Sequence, residues 1–226
     1  MPRLTDSITE AGLADRVFGE NELRDVLGGG DARRYGLVNR ALRDGSLRRL
    51  KRGLYVLDSR YRKEPLHPFA VAQSLHPGSY VSFETALSYH GWIPEAVFTT
   101  ASVTPGRKTL SFDTPDHGLF TFHPLALQEY RFLTGVERIK LGASTCLIAK
   151  PLRALLDLVA LRKASWNGIE WLISGMRIDE ILLMALKRKD FADLRAVHKH
   201  KAVETFLSAL RDHVIPSQFA STARER

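Results

Sequence analysis

The sequence predicts an α+β protein made of two domains, and three observations support this prediction. The chain has 226 residues, which is long for one average domain and short for three. Its content of 44% hydrophobic and 26% charged residues is typical of a globular protein. Helical patterns occupy both ends, whereas the middle consists of short β-forming runs separated by Pro and Gly. We predict domains over residues 1–60 and 66–226.

The N-terminal domain begins with three predicted helices. Gly28 to Gly30 stop the second helix, and Asp31 is expected to accept hydrogen bonds from free N–H groups at the start of the third. The helices are Leu4 to Ala14, Glu20 to Leu27 and Asp31 to about Asp44, with a short edge strand at Arg16 to Phe18. A hairpin follows, because the β-forming runs Leu47 to Leu50 and Leu54 to Leu57 flank a turn in which Gly53 can adopt positive φ. This order predicts a winged helix-turn-helix.

The second domain is predicted to be a mixed α/β unit with a small sheet and a helical C-terminus. Its turns are marked by Pro and Gly, and Pro151 suits the first turn of a helix. The predicted strands are Val97 to Thr104, Lys108 to Phe112, Leu119 to His123 and Thr145 to Ala149. The predicted helices are His67 to Leu75, Ser82 to His90, one from Pro151, Ile178 to Lys187 and Val203 to Val214.

Several sequence patterns argue against a membrane-embedded or secreted protein. The apolar runs are shorter than the roughly 20 residues of a membrane span, and the N-terminus lacks the apolar core of a signal peptide. We therefore expect a cytoplasmic protein without membrane contact. The single cysteine, Cys146, lies in an apolar run and is expected to be a core residue.

Positive charge is concentrated in one window of the chain. The net charge is +8, but residues 33–63 alone contain eleven Arg and Lys against two acids, a net +9. A field of one sign in a predicted winged helix indicates a polyanionic partner, and we expect double-stranded DNA.

The third helix carries the candidate base-reading residues. At 100° per residue, Arg33, Gly36, Asn39, Arg40 and Arg43 share an arc of about 120°. Arg can bond guanine and Asn adenine in the major groove, and Gly36 permits close approach. Tyr35, Val38 and Leu42 form a separate apolar arc, which is expected to pack on the core.

The hairpin supplies a second set of candidate DNA contacts. Arg48, Arg49, Lys51 and Arg52 cluster at its predicted tip, where they are expected to hold phosphates. The alternative is that the charged helix face and the basic turn are only a solvated surface.

Several motifs resemble the AbiEi-type antitoxin and transcriptional regulator family of type IV toxin-antitoxin systems. The run from Ala41 to Val56 is similar to the end of that family's winged helix, and residues 67–70 and 80–91 resemble its next motifs. Ile148 to Asp157 is similar to its strand-to-helix junction, although Lys150 stands where an acid is expected. The resemblance covers residues 16–160. It implies a repressor that binds its own promoter region and an antitoxin that counteracts a nucleotidyltransferase-like toxin.

A DNA-targeted nuclease is the main alternative from another class. Pro115 and Asp116, followed by Glu137 and Lys140, superficially resemble a restriction-type nuclease motif. Lys140 is three residues after Glu137, however, so on a strand the two side chains project from opposite faces. We therefore expect no catalytic residues and no enzyme activity.

Metal and cofactor sites are not expected either. His198 and His200 are two residues apart on a predicted helix, whereas ligand pairs prefer a spacing of four, and most of the eight histidines are expected at the surface or in turns. His90 and Asp157 are expected to pack or cap helices.

A third alternative is an interaction protein that acts through its C-terminal helices. Two acids, Asp190 and Asp193, interrupt a second basic region, which runs from Lys187 to Lys201. Its basic residues are Lys187, Arg188, Lys189, Arg195, Lys199 and Lys201. A solvated helix face is the competing explanation.

Overall fold

The computed structural model describes residues 3–114, 116–142 and 144–222, which form a mixed α+β fold. The chain divides into two compact units. The first comprises Met1–Pro77, Phe112–His117 and Ile139–Cys146, and the second comprises Gly78–Ser111, Gly118–Arg138 and Leu147–Arg226. Within the described ranges, none of the helices is both long enough and apolar enough to cross a bilayer.

The first unit opens with three helices and a small antiparallel sheet. Its elements are α1 (Leu4–Glu10), β1 (Phe18–Gly19), α2 (Glu20–Leu27), α3 (Asp31–Arg43), β2 (Leu47–Lys51), β3 (Leu54–Leu57) and α4 (Pro68–Leu75). The strand order is β1-β3-β2, and Tyr55 pairs with Phe18 on one side and with Arg49 on the other. The predicted helix-helix-helix-hairpin order is therefore present, with α1 shorter than predicted and β1 shifted toward α2.

Local sequence signals explain the boundaries of α2 and α3. The Glu22 carboxylate accepts a hydrogen bond from the N–H of Gly19 at 2.8 Å, and Gly28 ends α2 with a φ of 57°. Gly30 occupies the N-cap position of α3, so the prediction that Asp31 caps this helix is wrong. Asp31 is instead the first helical residue, and its carboxylate accepts a hydrogen bond from Arg34 at 2.5 Å.

One hydrophobic core holds the three helices and the sheet together. Leu23 of α2, Val38 and Ala41 of α3 and Tyr55 of β3 are all buried in it. The remaining members are Leu4, Ile8, Leu13, Ala14, Phe18, Leu47 and Leu57. Removing these side chains from water is the main force that positions α3 against the hairpin.

The first unit extends beyond the predicted domain end at residue 60. The Asp15 carboxylate accepts hydrogen bonds from the backbone N–H groups of Lys63 at 2.6 Å and Glu64 at 3.2 Å. The ammonium of Lys51 donates to the carbonyl of Leu75, the last residue of α4. These bonds attach the segment that was predicted to be a connection, so α4 belongs to the first unit.

The rest of the chain contains a second sheet and a set of helices. Its elements are β4 (Tyr80–Val81), α5 (Phe83–Tyr89), β5 (Thr100–Thr104), β6 (Leu110–Thr114), β7 (Gly118–Pro124), β8 (Val136–Leu141), β9 (Ser144–Ala149), α6 (Pro151–Arg162), α7 (Glu180–Met184), α8 (Arg188–Leu194) and α9 (Lys201–Thr222). Among the described residues the strand order is β6-β7-β5-β4-β9-β8. The pairs β4–β9 and β5–β7 are parallel, and β4–β5 is antiparallel.

Most predicted elements of this region are present, with shifted ends. The predicted strand from Val97 begins at Thr100, and the predicted helix from Ile178 is reduced to α7. The sequence patterns missed β4, β8 and α8. Cys146 is buried as predicted, and burial raises the pKa of its thiol to about 11.

Candidate nucleic-acid interface

The α3 helix has one buried face and one exposed face. Val38 and Ala41 are buried in the core of the first unit. At 100° per residue, the five predicted residues lie on the side of α3 opposite these two. Arg33, Gly36, Arg40 and Arg43 are exposed, and Asn39 is half-buried. The structure therefore brings the predicted set together on one accessible face.

Tyr35 is the exception to the predicted division of α3. Its side chain is 71% exposed, so the prediction that it packs on the core is wrong. The buried face is centred on Val38 and Ala41, and Tyr35 lies at its margin. Arg34 takes the half-buried position instead and forms an ion pair with Asp31.

The cationic side chains of this face lie outside ion-pair distance of the described carboxylates. One electrostatic neighbour is Asp44, whose pKa is lowered mainly by its hydrogen bonds with Ser46 and also by the charge of Arg40. Arg43 donates a long hydrogen bond, 3.4 Å, to the carbonyl of Asn39. Across residues 3–114, 116–142 and 144–222, no carboxylate forms an ion pair with Arg33, Arg40 or Arg43. Their charge is therefore directed into solvent, where it is available to a polyanion.

Two of the four hairpin cations are similarly available. Arg49 is exposed, and its guanidinium lies 5.9 Å from the centre of the Tyr55 ring. Arg52 is exposed in the turn before Gly53, whose φ of 76° the tight turn requires. Neither arginine has an acidic partner in the part of the chain that the structure describes.

Arg48 and Lys51 differ from the expectation that all four basic residues project from the tip. Arg48 donates to Asp58 at 3.1 Å and lies 3.6 Å from Asp116. The Lys51 ammonium donates to the Leu75 carbonyl at 2.6 Å and lies 5.6 Å from the centre of the Phe112 ring. A cation at the C-terminal carbonyl of α4 also complements the helix dipole. Both side chains are thus already occupied within the first unit.

Asp58 is the acid that neutralises this part of the first unit. It is buried, and its carboxylate accepts from Arg60 at 2.7 Å and from Arg48 at 3.1 Å. The hydrogen bond from Arg60 outweighs the effect of burial and lowers the pKa of Asp58 to about 2. Asp58 is therefore ionised at neutral pH and holds two arginines close to the protein surface.

The residues of the nuclease alternative have other partners. Asp116 lies beside Arg48, and the Glu137 carboxylate lies 3.8 Å from Nε2 of His90, which is 3.0 Å from the carbonyl of Ala149. Pro115 lies outside the described residues. The described residues contain no group of three or more His, Cys, Asp or Glu side chains arranged to hold a metal ion.

The second unit contains a buried polar network that the sequence patterns did not reveal. Arg153 and Asp157, one turn apart on α6, are both fully buried and form an ion pair at 2.8 Å. His198 was predicted to lie on a helix, but it follows α8 in an irregular segment that forms a bridge with Leu127. It is buried, and its Nε2 lies 2.7 Å from Oδ1 of Asp157. The expectation that most histidines lie at the surface is wrong for His198.

The rest of this network completes the hydrogen bonding of both charges. Tyr80 at 3.0 Å and Ser82 at 2.7 Å donate to Oδ2 of Asp157. Arg153 donates to the Tyr80 hydroxyl and to the carbonyls of Thr134 and Phe132. Burial alone would raise the pKa of Asp157, but Arg153 and His198 outweigh it, so the net pKa is lowered. Asp157 is therefore packed in the interior, which is one of the two roles expected for it, and its ion pair and hydrogen bonds are the part that the sequence did not predict.

Comparison of the chain with protein-family models gave no matching family, and no curated protein matched its sequence. The resemblance to AbiEi-type antitoxins therefore rests on the sequence motifs alone.

Proposed function

We propose that this chain is a DNA-binding transcriptional regulator whose first unit is a winged helix. The observation that supports this proposal best is the exposed face of α3, whose Arg33, Arg40 and Arg43 form no ion pair among the described residues and which also carries Asn39. A helix held by its apolar side, with amide and guanidinium donors on the other, suits the major groove.

The two sets of cations have different proposed roles. On α3, arginine donates in pairs to guanine and Asn39 to adenine, so this face reads sequence. On the hairpin, Arg49 and Arg52 hold phosphates, which fixes the position of the protein but carries little sequence information. Arg48 and Lys51 are left out of the contact set because Asp58 and the Leu75 carbonyl occupy them.

A mobility-shift titration on the DNA upstream of the gene, with unrelated DNA as competitor, tests this proposal. If about five phosphates are neutralised, affinity falls by two to three orders of magnitude between about 50 and 200 mM salt. The Asn39→Ala variant relaxes sequence preference, whereas Arg52→Ala weakens binding to all sequences alike. A flat salt response, or equal affinity for upstream and unrelated DNA, would contradict the regulator proposal.

We further propose that the regulator is the antitoxin of a toxin-antitoxin pair. The support is the set of motifs between residues 16 and 160 that resemble AbiEi-type antitoxins. In this proposal, the protein represses its own operon and counteracts a nucleotidyltransferase-like toxin encoded beside it. Co-expression with the neighbouring gene product tests this: the proposal requires that the neighbour alone arrests growth and that this chain restores it.

A further inference from the structure

The buried network of the second unit holds two surface segments in place. One segment, residues 128–136, is a series of tight turns in which each of four N–H groups bonds the carbonyl three residues earlier. Arg153 donates to two of its carbonyls, those of Phe132 and Thr134. The other segment, residues 195–199, is held by the bond between His198 and Asp157.

Backbone hydrogen bonds join the two segments directly. The N–H of Gln128 donates to the Val197 carbonyl at 2.9 Å, and the N–H of Lys199 donates to the Ala126 carbonyl at 2.8 Å. The Arg131 guanidinium donates to the Arg195 carbonyl at 2.9 Å. The two segments therefore form one ordered surface, which we call the platform. The buried side chains of Arg153 and Asp157 hold it in place.

This platform exposes an apolar pair. Tyr130 is 97% exposed and Leu133 is 51% exposed. The two side chains are three residues apart in the same series of turns, so both are carried by one ordered support. Water contact with large apolar side chains on an ordered support carries a free-energy cost that a binding partner would remove.

Three cations belong to the same two segments. Arg131, Arg195 and Lys199 are exposed, and among the described residues none of the three forms an ion pair. Glu129 is the acid beside them, in a shallow depression of about 390 Å³ that Tyr130, Arg131 and Lys199 also line. We name the surface formed by Tyr130, Arg131, Leu133, Arg195 and Lys199 the Tyr130 patch.

We infer that the Tyr130 patch binds an acidic segment of a partner protein. Tyr and Arg are among the side chains that most often dominate binding at protein interfaces. Here Arg131 and Lys199 line the same depression as the exposed Tyr130 ring, and Arg195 lies in the segment bonded to Arg131. Carboxylates of the partner pair with the cations, and an apolar side chain of the partner covers Tyr130 and Leu133. A nucleic acid fits less well, because Leu133 offers no face on which a base could stack.

The inference goes beyond the proposed function, because every residue of the patch belongs to the second unit and none is a proposed DNA contact. The platform also explains the backbone of Ala196, which adopts a φ of 57° in the left-handed region. This conformation is unfavourable for alanine and persists only where surrounding contacts impose it.

The test uses the full chain and two pools of short displayed peptides. In one pool Asp or Glu alternates with randomised residues, and in the other Lys replaces the acids. We expect enrichment from the acidic pool only. Peptides so selected are expected to lose roughly tenfold or more in affinity to Tyr130→Ala, and to bind more weakly as salt rises.

Phe98→Ala is the matched control. Phe98 is an aromatic side chain of the same unit that is exposed to a similar extent, 91%, but it lies outside the Tyr130 patch. We expect it to leave peptide affinity unchanged. Arg52→Ala is also expected to leave peptide affinity unchanged, which keeps this result separate from DNA binding. Equal enrichment of both pools, equal effects of Tyr130→Ala and Phe98→Ala, or displacement of the peptides by a single-stranded oligonucleotide at lower concentration would each overturn the inference.

Discussion

The two units use arginine in opposite ways. On α3 of the first unit, Arg33, Arg40 and Arg43 are exposed and form no ion pair in the described ranges. In the second unit, Arg153 is 0% exposed, and its guanidinium donates to a carboxylate, a hydroxyl and two carbonyls. The exposed set contributes little to stability and leaves its charge for a ligand, whereas the buried residue is fully committed to the fold.

The contrast shows which positive charges in this chain can serve binding. Net charge alone does not distinguish them, because Arg153 and Arg40 count equally toward +8. The hydrogen-bond and ion-pair partners of each guanidinium distinguish the charges that are available for binding from those that are not. By this criterion Arg48, Arg60 and Lys51 are intermediate, since each lies in the basic first unit but is held by Asp58 or by a backbone carbonyl.

The largest expected effect is the loss of stability caused by substituting the buried Arg153. Arg153→Met leaves Asp157 without its main partner, so the free energy of unfolding should fall by about 3–5 kcal/mol. The measurement is urea unfolding followed by tryptophan fluorescence, which reports on the second unit because Trp92, Trp166 and Trp171 all belong to it.

Arg162→Met is the matched control for this substitution. Arg162 lies on the same helix, is half exposed and pairs with Glu84, so its loss should cost no more than about 1 kcal/mol. Equal destabilisation by the two variants would show that burial does not distinguish these arginines.

The next largest effect is the loss of DNA affinity caused by substituting the exposed arginines of α3. The double variant Arg40→Ala/Arg43→Ala should reduce affinity for the upstream DNA about 100-fold and relax sequence preference, because two base-reading guanidinium groups leave the proposed interface. Its stability should change by no more than about 0.5 kcal/mol for each site. Fluorescence anisotropy with labelled upstream DNA measures the affinity.

Lys187→Ala/Lys189→Ala is a control with the same change in net charge. Both lysines are exposed at the start of α8, in the second basic region. If this variant loses as much affinity as the α3 variant, DNA responds to net charge, and the assignment of the interface to α3 is wrong.

An intermediate effect is expected for Asp58. Asp58→Asn removes the carboxylate that holds Arg60 and one of the two that hold Arg48, so DNA binding at neutral pH should tighten by a few-fold as one negative charge leaves the basic unit. The first unit should also become less stable at neutral pH, because the lowered pKa of Asp58 means that its ionised form stabilises the fold.

The pH dependence of this variant gives a second test. The contribution of Asp58 is complete above its unfolded pKa near 3.8 and is lost as pH falls toward its folded pKa of about 2. The stability difference between wild type and Asp58→Asn, measured by thermal unfolding followed by circular dichroism, should therefore shrink steeply between about pH 4 and pH 2. A difference that is undiminished at pH 2 would mean that the carboxylate charge is not its source.

The sequence predicted best those features that local chemistry determines. The α2 helix has its predicted bounds because Gly28 to Gly30 end it, and the hairpin forms because Gly53 permits the turn. The basic face of α3 was likewise predictable, because helical periodicity places its residues together whatever packs on the other side.

Features that depend on distant partners could not be predicted. Tyr35 is apolar, but whether it is buried depends on where the core meets α3. His198 is 41 residues from Asp157 in sequence, and its irregular segment is defined by bonds to Asp157 and Leu127. The one local signal was the spacing of Arg153 and Asp157, which places oppositely charged side chains one turn apart on the same side of α6.

The smallest effect separates fold from function at a single position. Gly36 lies on the exposed face of α3, and a Cβ atom added there would meet nothing within 4 Å. Because glycine is a poor helix former, Gly36→Ala should stabilise the first unit by about 0.5–1 kcal/mol. If α3 enters the major groove by this face, the same methyl group obstructs close approach, and DNA affinity should fall while stability rises. Thermal unfolding and anisotropy on one preparation measure both. A variant that gains stability and keeps its full affinity would show that this face of α3 does not approach the bases, whatever its charge.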